Sequence, residues 1–169
     1  MTSYLLVTGS RLHTPTGSGN IIKAGLIEAR EHLGDDTVLV NGAQGIRDRK
    51  TGAVLSGADL MCWTLWESWG LPHQEYPANW SGPCDPDWPG CKPGHRRTRN
   101  GGQFCPLAGL RRNQQMVDLV AAWKAQGSRV QAVGFPFPGR PSSGTRDCLR
   151  RAHVAGLSVW VRDDPKVVP

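Results

Sequence analysis

The sequence predicts an α/β domain, a Rossmann-like three-layer sandwich of about five parallel strands with one long irregular insertion. Three observations predict it. An amphipathic stretch that ends at a glycine, followed by a short β-rich run, recurs four times. The first strand is apolar without alternation, as in a strand covered on both faces. Small and turn-forming residues gather where the strands end.

The first strand is Tyr4–Thr8, whose Leu5, Leu6 and Val7 run unbroken. Ile22, Leu26, Ala29 and Leu33 then fall at i, i+4, i+7 and i+11, one helical stripe. Gly34 follows that stripe at the place of a left-handed helix cap, and Thr37–Val40 makes the second strand. Ile46–Leu55 is a small insertion whose Asp48–Gly52 reads as a hairpin tip or mobile turn. Ser56-Gly57-Ala58-Asp59 opens the next helix, which carries Trp63, Trp66 and Trp69 at i, i+3 and i+6. Such a stripe suits core or partner packing and leaves room for a homo-oligomer. After Gly70 comes a third strand, His73–Tyr76. Arg111-Arg112-Asn113 opens a helix with Met116, Leu119, Val120 and Trp123 on one face; Gly127 and the strand Val130–Val133 follow. A last helix starts near Thr145 or Arg146 and leads through Gly156 to Leu157–Val161. Helices and strands alternating at this spacing form parallel βαβ units. The usual order places strand 1 beside strand 4, strands 2 and 3 on one side and strand 5 on the other.

The chain has 169 residues, the size of one domain (1–169), large enough to bury a core without obligatory metals or disulfides. Glycine (21) and proline (13) make up about a fifth of it, which predicts long loops on a compact frame. The formal net charge of +6 favours anionic partners, and it also serves solubility alone. No run of 18 apolar residues exists and residues 1–10 lack a basic leader, so neither a membrane span nor a membrane partner is expected. Five cysteines, an odd number without a secretion signal, point to reduced thiols and a cytoplasmic location.

In open α/β sheets, ligands bind at the carboxyl ends of the strands. The candidate ligand-binding residues are therefore Gly9, Ser10 and Arg11 after strand 1; Asn41, Gly42 and Ala43 after strand 2; and Gly57, Ala58 and Asp59 at a helix start. Arg112 and Asn113 open a helix at the same edge. Pro136, Gly139, Ser142, Ser143, Gly144 and Thr145 follow strand 4. The last segment is the most informative. Small residues admit an anion, Ser142, Ser143 and Thr145 offer hydroxyls and possible N-caps, and the helix start offers free N–H groups and a positive dipole end. Arg11 would add a charge-assisted clamp. An ordinary strand-to-helix loop is the alternative. No Gly-Lys-Ser/Thr closes the segment, and no Gly-x-Gly-x-x-Gly follows strand 1, so neither a P-loop nor a standard dinucleotide fingerprint is present. Asp59 suits either the helix dipole or a hydrogen bond to a ribose or base.

Residues 78–107 break the rhythm with five prolines, five glycines and no periodic apolar pattern. So long an irregular loop requires a function or a staple. It holds Cys84, Cys91, His95 and Cys105 in the spacing Cys-x6-Cys-x3-His-x9-Cys. Three thiolates and one imidazole suit a closed tetrahedral zinc site of structural role, and metal binding would supply folding energy. Incidental thiols or a disulfide are the alternatives. Lys92, Arg96, Arg97 and Arg99 share the loop, either as a solvated basic face or as a contact to polyphosphate or nucleic acid, with Trp80, Trp88 and Phe104 available to stack bases.

Taken together, Leu6-Val7-Thr8-Gly9-Ser10-Arg11, Val40-Asn41-Gly42-Ala43, Gly57-Ala58-Asp59, Tyr76-Pro77-Ala78-Asn79-Trp80, Ala108–Asn113 with Met116-Val117, and Ser143-Gly144-Thr145 resemble the SLOG superfamily, in its YspA/YpsA-related branch, DUF2493. The pieces cover nearly the whole chain outside the two insertions. The resemblance implies a Rossmann-like fold and a nucleotide or nucleotide-derived ligand. Superfamily relatives that cleave a nucleoside monophosphate N-glycosidic bond carry Pro-Gly-Gly-x-Gly-Thr-x-x-Glu with a catalytic Glu; here Cys148 stands at that position, which favours binding over hydrolysis. Three functions stay open: a sensor or sequestering module for a nucleotide, a nucleotide N-glycosidase or phosphohydrolase using Asp59 or Asp147, and a DNA- or RNA-binding protein working through the basic loop, as the relative DprA binds single-stranded DNA.

Overall fold

Strand β1 (Ser3–Gly9) is the middle of a five-stranded sheet, and its side chains alternate between two cores. The structure is a computed structural model and describes residues 2–163. Leu5 and Val7 point to one face, where they meet Leu39, Val133 and Phe135 from neighbouring strands. Helices α1 (Pro15–Leu33) and α2 (Ala58–Ser68) cover that face with Ile22, Leu26, Ala29, Leu33, Met61, Cys62 and Trp66. Leu6 points to the other face, with Val40 and Ala132. There α3 (Ala108–Ala125) and α4 (Ser143–Val154) supply Met116, Val117, Val120, Cys148 and Ala152. The result is three layers, as the unalternating first strand predicts.

The remaining sheet strands are β2 (Thr37–Asn41), β5 (His73–Glu75), β8 (Arg129–Phe135) and β9 (Ser158–Val161), all parallel to β1 or to its neighbours. Their order is β5-β2-β1-β8-β9, the order the sequence predicts. The chain moves outward from β1 through β2 to β5, then crosses to β8 and continues to β9. The reversal falls between β1 and β8, whose registers pair along seven residues from Ser3–Arg129 to Gly9–Phe135.

The insertion at 46–55 is a hairpin of β3 (Ile46–Arg47) and β4 (Val54–Ser56), as expected. The insertion at 78–107 is less irregular than its composition suggests. It contains a 3-10 turn (Pro93–His95) and a second hairpin, β6 (Arg97–Arg99) with β7 (Gly102–Phe104). Asn100 and Gly101, both at positive φ (50° and 78°), form its turn.

Three helix starts lie earlier or later than the sequence predicts. α3 begins at Ala108 rather than at Arg111, α2 at Ala58 rather than Ser56, and α4 at Ser143 rather than at Thr145 or Arg146. The tryptophan stripe turns mostly inward. Trp66 is fully buried and donates its indole N–H to the Pro72 carbonyl (3.1 Å). Trp63 is half-buried between His73 and Arg47, with the guanidinium carbon 4.6 Å from its ring centre. Among the described residues, no helix is long and apolar enough to cross a membrane.

Candidate functional site

The segments after β1 and β8 wall a cleft of about 630 Å³ at the carboxyl edge of the sheet, on the line where the chain reverses. Ser10 and Phe135 join the two segments through the Ser10 N–H and the Phe135 carbonyl (2.9 Å). Thr8 to Leu12 form one wall, and Pro141 to Thr145 another. The start of α3 contributes Gly109, Leu110, Arg112 and Asn113, and the insertion contributes Trp80 and Pro106.

The candidate residues divide into those that line this cleft and those that build it. Gly9, Ser10, Arg11, Asp59, Arg112, Asn113, Ser142, Ser143, Gly144 and Thr145 line it. Asn41, Gly42, Ala43, Gly57, Ala58, Pro136 and Gly139 do not. Asn41 is fully buried and holds its own loop together: its side-chain amide donates to the Asp59 carbonyl (3.3 Å) and its Oδ1 accepts the Ala43 N–H (2.8 Å). Gly42 makes room for Arg112. A Cβ there would sit 1.1 Å from Arg112 Nη1, so any larger residue displaces the guanidinium. Ala58 abuts Gly9, where a Cβ would lie 2.2 Å from the Ala58 Cβ, and the Ala58 N–H donates to the Ser10 carbonyl (3.1 Å). This contact brings the start of α2 against the end of β1. Gly57 fastens the same junction by donating its N–H to the His13 carbonyl (2.8 Å).

Asp59 organises the floor of the cleft. Its two oxygens accept the N–H groups of Gly9 (3.1 Å) and Gln44 (3.4 Å), and Arg112 Nη1 lies 3.9 Å away. Burial raises its pKa to about 6, against the lowering pull of Arg112 and those N–H groups. The side chain is only 3% exposed, so its carboxylate acts first as a brace between three loops.

At α4, the first intrahelical bond runs from the Arg146 N–H to the Ser142 carbonyl (2.9 Å). The N–H groups of Ser143, Gly144 and Thr145 therefore have no acceptor within the helix. Ser142 does not cap them, contrary to expectation: its hydroxyl accepts the Phe137 N–H (2.9 Å) and so folds the preceding loop. Thr145 lies inside the first turn and is buried, so it is no N-cap either. Only Ser143 among the three is exposed.

Asn113 ties the two helix starts together. Its amide donates to the Gly144 carbonyl (3.1 Å) and to Asp147 (3.2 Å), while its Oδ1 accepts from Arg112 Nε (3.1 Å). Asp147 also bonds Arg151 (2.8 Å) and Arg150 (3.0 Å). Burial works to raise the Asp147 pKa, but these bonds outweigh it and hold the carboxyl below its usual range. Cys148 sits in the core beside Leu6 and Val40. Burial pushes its pKa up to about 12, which keeps the thiol protonated. Behind the cleft, buried His13 donates Nε2–H to the Phe135 carbonyl (2.9 Å), and its Nδ1 has no partner among the described residues. Burial lowers its pKa more than the carbonyl bonds raise it, so the ring is neutral at pH 7.

The four donors of the insertion converge. Cys84, Cys91 and Cys105 place Sγ at 3.2, 3.8 and 3.4 Å from His95 Nε2, and Cys91 and Cys105 Sγ are 3.6 Å apart. All four lie within 4.8 Å of one another, and these residues could hold a metal ion. Metal–ligand bonds of about 2.3 Å to sulfur and about 2.0 Å to nitrogen make tetrahedron edges of about 3.5–3.8 Å, and the four donor pairs given above, at 3.2–3.8 Å, lie near them. All five cysteines are free thiols, so no disulfide staples the loop. The Asp85 N–H donates to Cys91 Sγ (3.2 Å), a supporting bond of the kind that steadies a metal thiolate.

Gln44, Pro106 and Leu12 line the cleft without having been singled out in the sequence. They come from irregular segments, where periodicity carries no signal. No protein-family model matches this chain, and no curated protein or solved structure matches it either.

Proposed function

We propose that the cleft binds a nucleotide or nucleotide-derived ligand through its phosphate, and that the chain is a sensor or sequestering module of SLOG-like type. The observation that carries this reading is the joint placement, at one sheet edge, of three N–H groups at the start of α4 with no acceptor among the described residues, the Ser143 hydroxyl, and the Arg11 and Arg112 side chains. A cleft of about 630 Å³ falls in the range of small-molecule sites. The state of the carboxylates favours binding over hydrolysis. Asp147 is held ionised by two arginines, Asp59 braces the loops, and Cys148 is a core thiol. Zinc suits the Cys/His cluster, because three thiolates and one imidazole are its usual structural donor set and four protein ligands leave no open position for chemistry.

Native mass spectrometry of the purified protein, with metal quantified on the same sample, tests both parts. One zinc per chain and a bound nucleoside phosphate are expected. Replacing Ser143 with Glu, which sets a negative charge at the anion position, removes the bound nucleotide and leaves the zinc. A protein that takes up neither AMP nor ADP at millimolar concentration overturns the nucleotide reading.

A further inference from the structure

The residues lining the cleft differ in character by origin. The β1 turn and the α4 start are mostly polar, with Leu12 and Pro141 among them, whereas the insertion and the start of α3 give Trp80, Pro106, Gly109 and Leu110 beside Arg112 and Asn113. Trp80 is the one aromatic side chain among the described residues that line the cleft. Trp88 lies elsewhere, under Arg151 at 5.4 Å, and Phe104 meets the Trp80 ring edge-on at 6.4 Å. The indole rests on the backbone of α3 at Gly109, where a Cβ would lie 2.9 Å from Cη2. Glycine there is what lets a flat ring lie against the helix, and Trp80 as a whole is half-buried.

Trp80 is also fastened to the Cys/His cluster. Its carbonyl accepts the N–H of Cys105 (2.8 Å). Arg96, next to His95, donates to the carbonyls of Gly82 (2.7 Å), Ser81 (3.3 Å) and Gln103 (3.1 Å). The ring packs against Cys91, Cys105 and Ala108. Residues 80–82 thus belong to no strand or helix of the frame, and their position follows that of the metal ligands.

We infer that Trp80 is the platform on which the ligand's planar base stacks, and that the Cys/His cluster sets its position, so metal occupancy and base binding support one another. This rests on the nucleotide reading above, and it adds an aromatic base to the ligand and a role to the insertion. Base–aromatic stacking is sequence-tolerant, because every base has a π-face. The phosphate cradle fixes one part of the ligand and Trp80 selects the other. By thermodynamic reciprocity, a base-bearing ligand then raises the affinity of the cluster for its metal by the factor that the metal raises ligand affinity.

Calorimetric titration of the zinc-loaded protein with AMP and with ribose 5-phosphate separates the two parts. AMP binds about tenfold or more tightly than ribose 5-phosphate, the gain expected of one stacked base. Trp80→Ala removes that gain and leaves ribose 5-phosphate binding unchanged; Trp80→Phe keeps most of it. In competition with a chelator, AMP raises the zinc affinity of the wild type but not of Trp80→Ala. Equal affinity for the two probes, an equal loss of both in Trp80→Ala, or a zinc affinity indifferent to AMP overturns the inference while the phosphate reading stands. Failure of both probes to bind overturns the two together.

Discussion

The sheet and the 78–107 insertion are ordered by different means. In the sheet, Leu5, Leu6, Val7, Val133 and Phe135 are nearly or wholly buried, and each meets apolar side chains from a helix. Around the insertion, the buried residues of the local cluster are Cys91, Cys105 and, from the start of α3, Ala108, with Trp80, Trp88 and Leu107 packed against them. Fixing some thirty residues costs about 1–2 kcal/mol of backbone entropy each, with few fully buried apolar side chains there to offset it. The frame stands on burial, whereas the insertion gathers four donor atoms that could hold a metal ion. The lesson is that one cleft can take its walls from two sources of stability, each open to separate attack.

The sharpest way to break the comparison is Cys105→Ser. It should abolish stoichiometric metal binding and expose the amides of 80–105 to hydrogen exchange, while those of β1 and β8 remain protected. Loss of protection in both regions together would mean that the insertion is part of the frame. The converse change is Phe135→Ala. It removes a fully buried ring from the frame and should cost about 3–5 kcal/mol in urea unfolding, with one metal per chain retained.

A smaller effect separates the floor of the cleft from its walls. Asp59 keeps a proton in the folded state up to about pH 6, whereas the unfolded chain loses it near 3.8. Its contribution to stability is therefore greatest below pH 4 and falls as pH rises through 6, then stays level. Asp59→Asn should flatten that fall. The variant's unfolding midpoint, taken relative to wild type, should improve between pH 4 and 6.5 by the equivalent of up to about 3 kcal/mol, because each tenfold difference in proton affinity between the folded and unfolded chain is worth ~1.4 kcal/mol.

How much of this was legible in the sequence follows the same division. Both helix layers could be read, because Leu5–Val7 is continuous and glycines close the helices at 34, 70, 127 and 156, whereas the strand order came by analogy with the usual order of such sheets. Helix starts were read less well. Ser142, a fit cap by residue type, spends its hydroxyl on Phe137, and nothing local announces that. Asn41, Gly42 and Ala43 stood out by composition, yet they build the seat of Arg112 and Asp59, a role that depends on contacts across the fold. The β6–β7 hairpin carried a signal that went unused. Asn100-Gly101 is a strong hairpin turn, but its flanks, Arg97-Thr98-Arg99 and Gly102-Gln103-Phe104, lack the apolar alternation that normally accompanies one. The four Cys/His donors were picked out from residue type and spacing; their closeness could come only from the fold.

Asn113 has one more consequence. Its amide joins the first turn of α3, which carries Gly109 and Leu110, to the first turn of α4, and the Arg151–Gln114 bond links the same two helices further along. Neither helix start can swing outward without breaking a bond to the other. The width of the cleft between the two helix starts is in this sense held by polar bonds across it, where two untied helix starts would leave it free to vary.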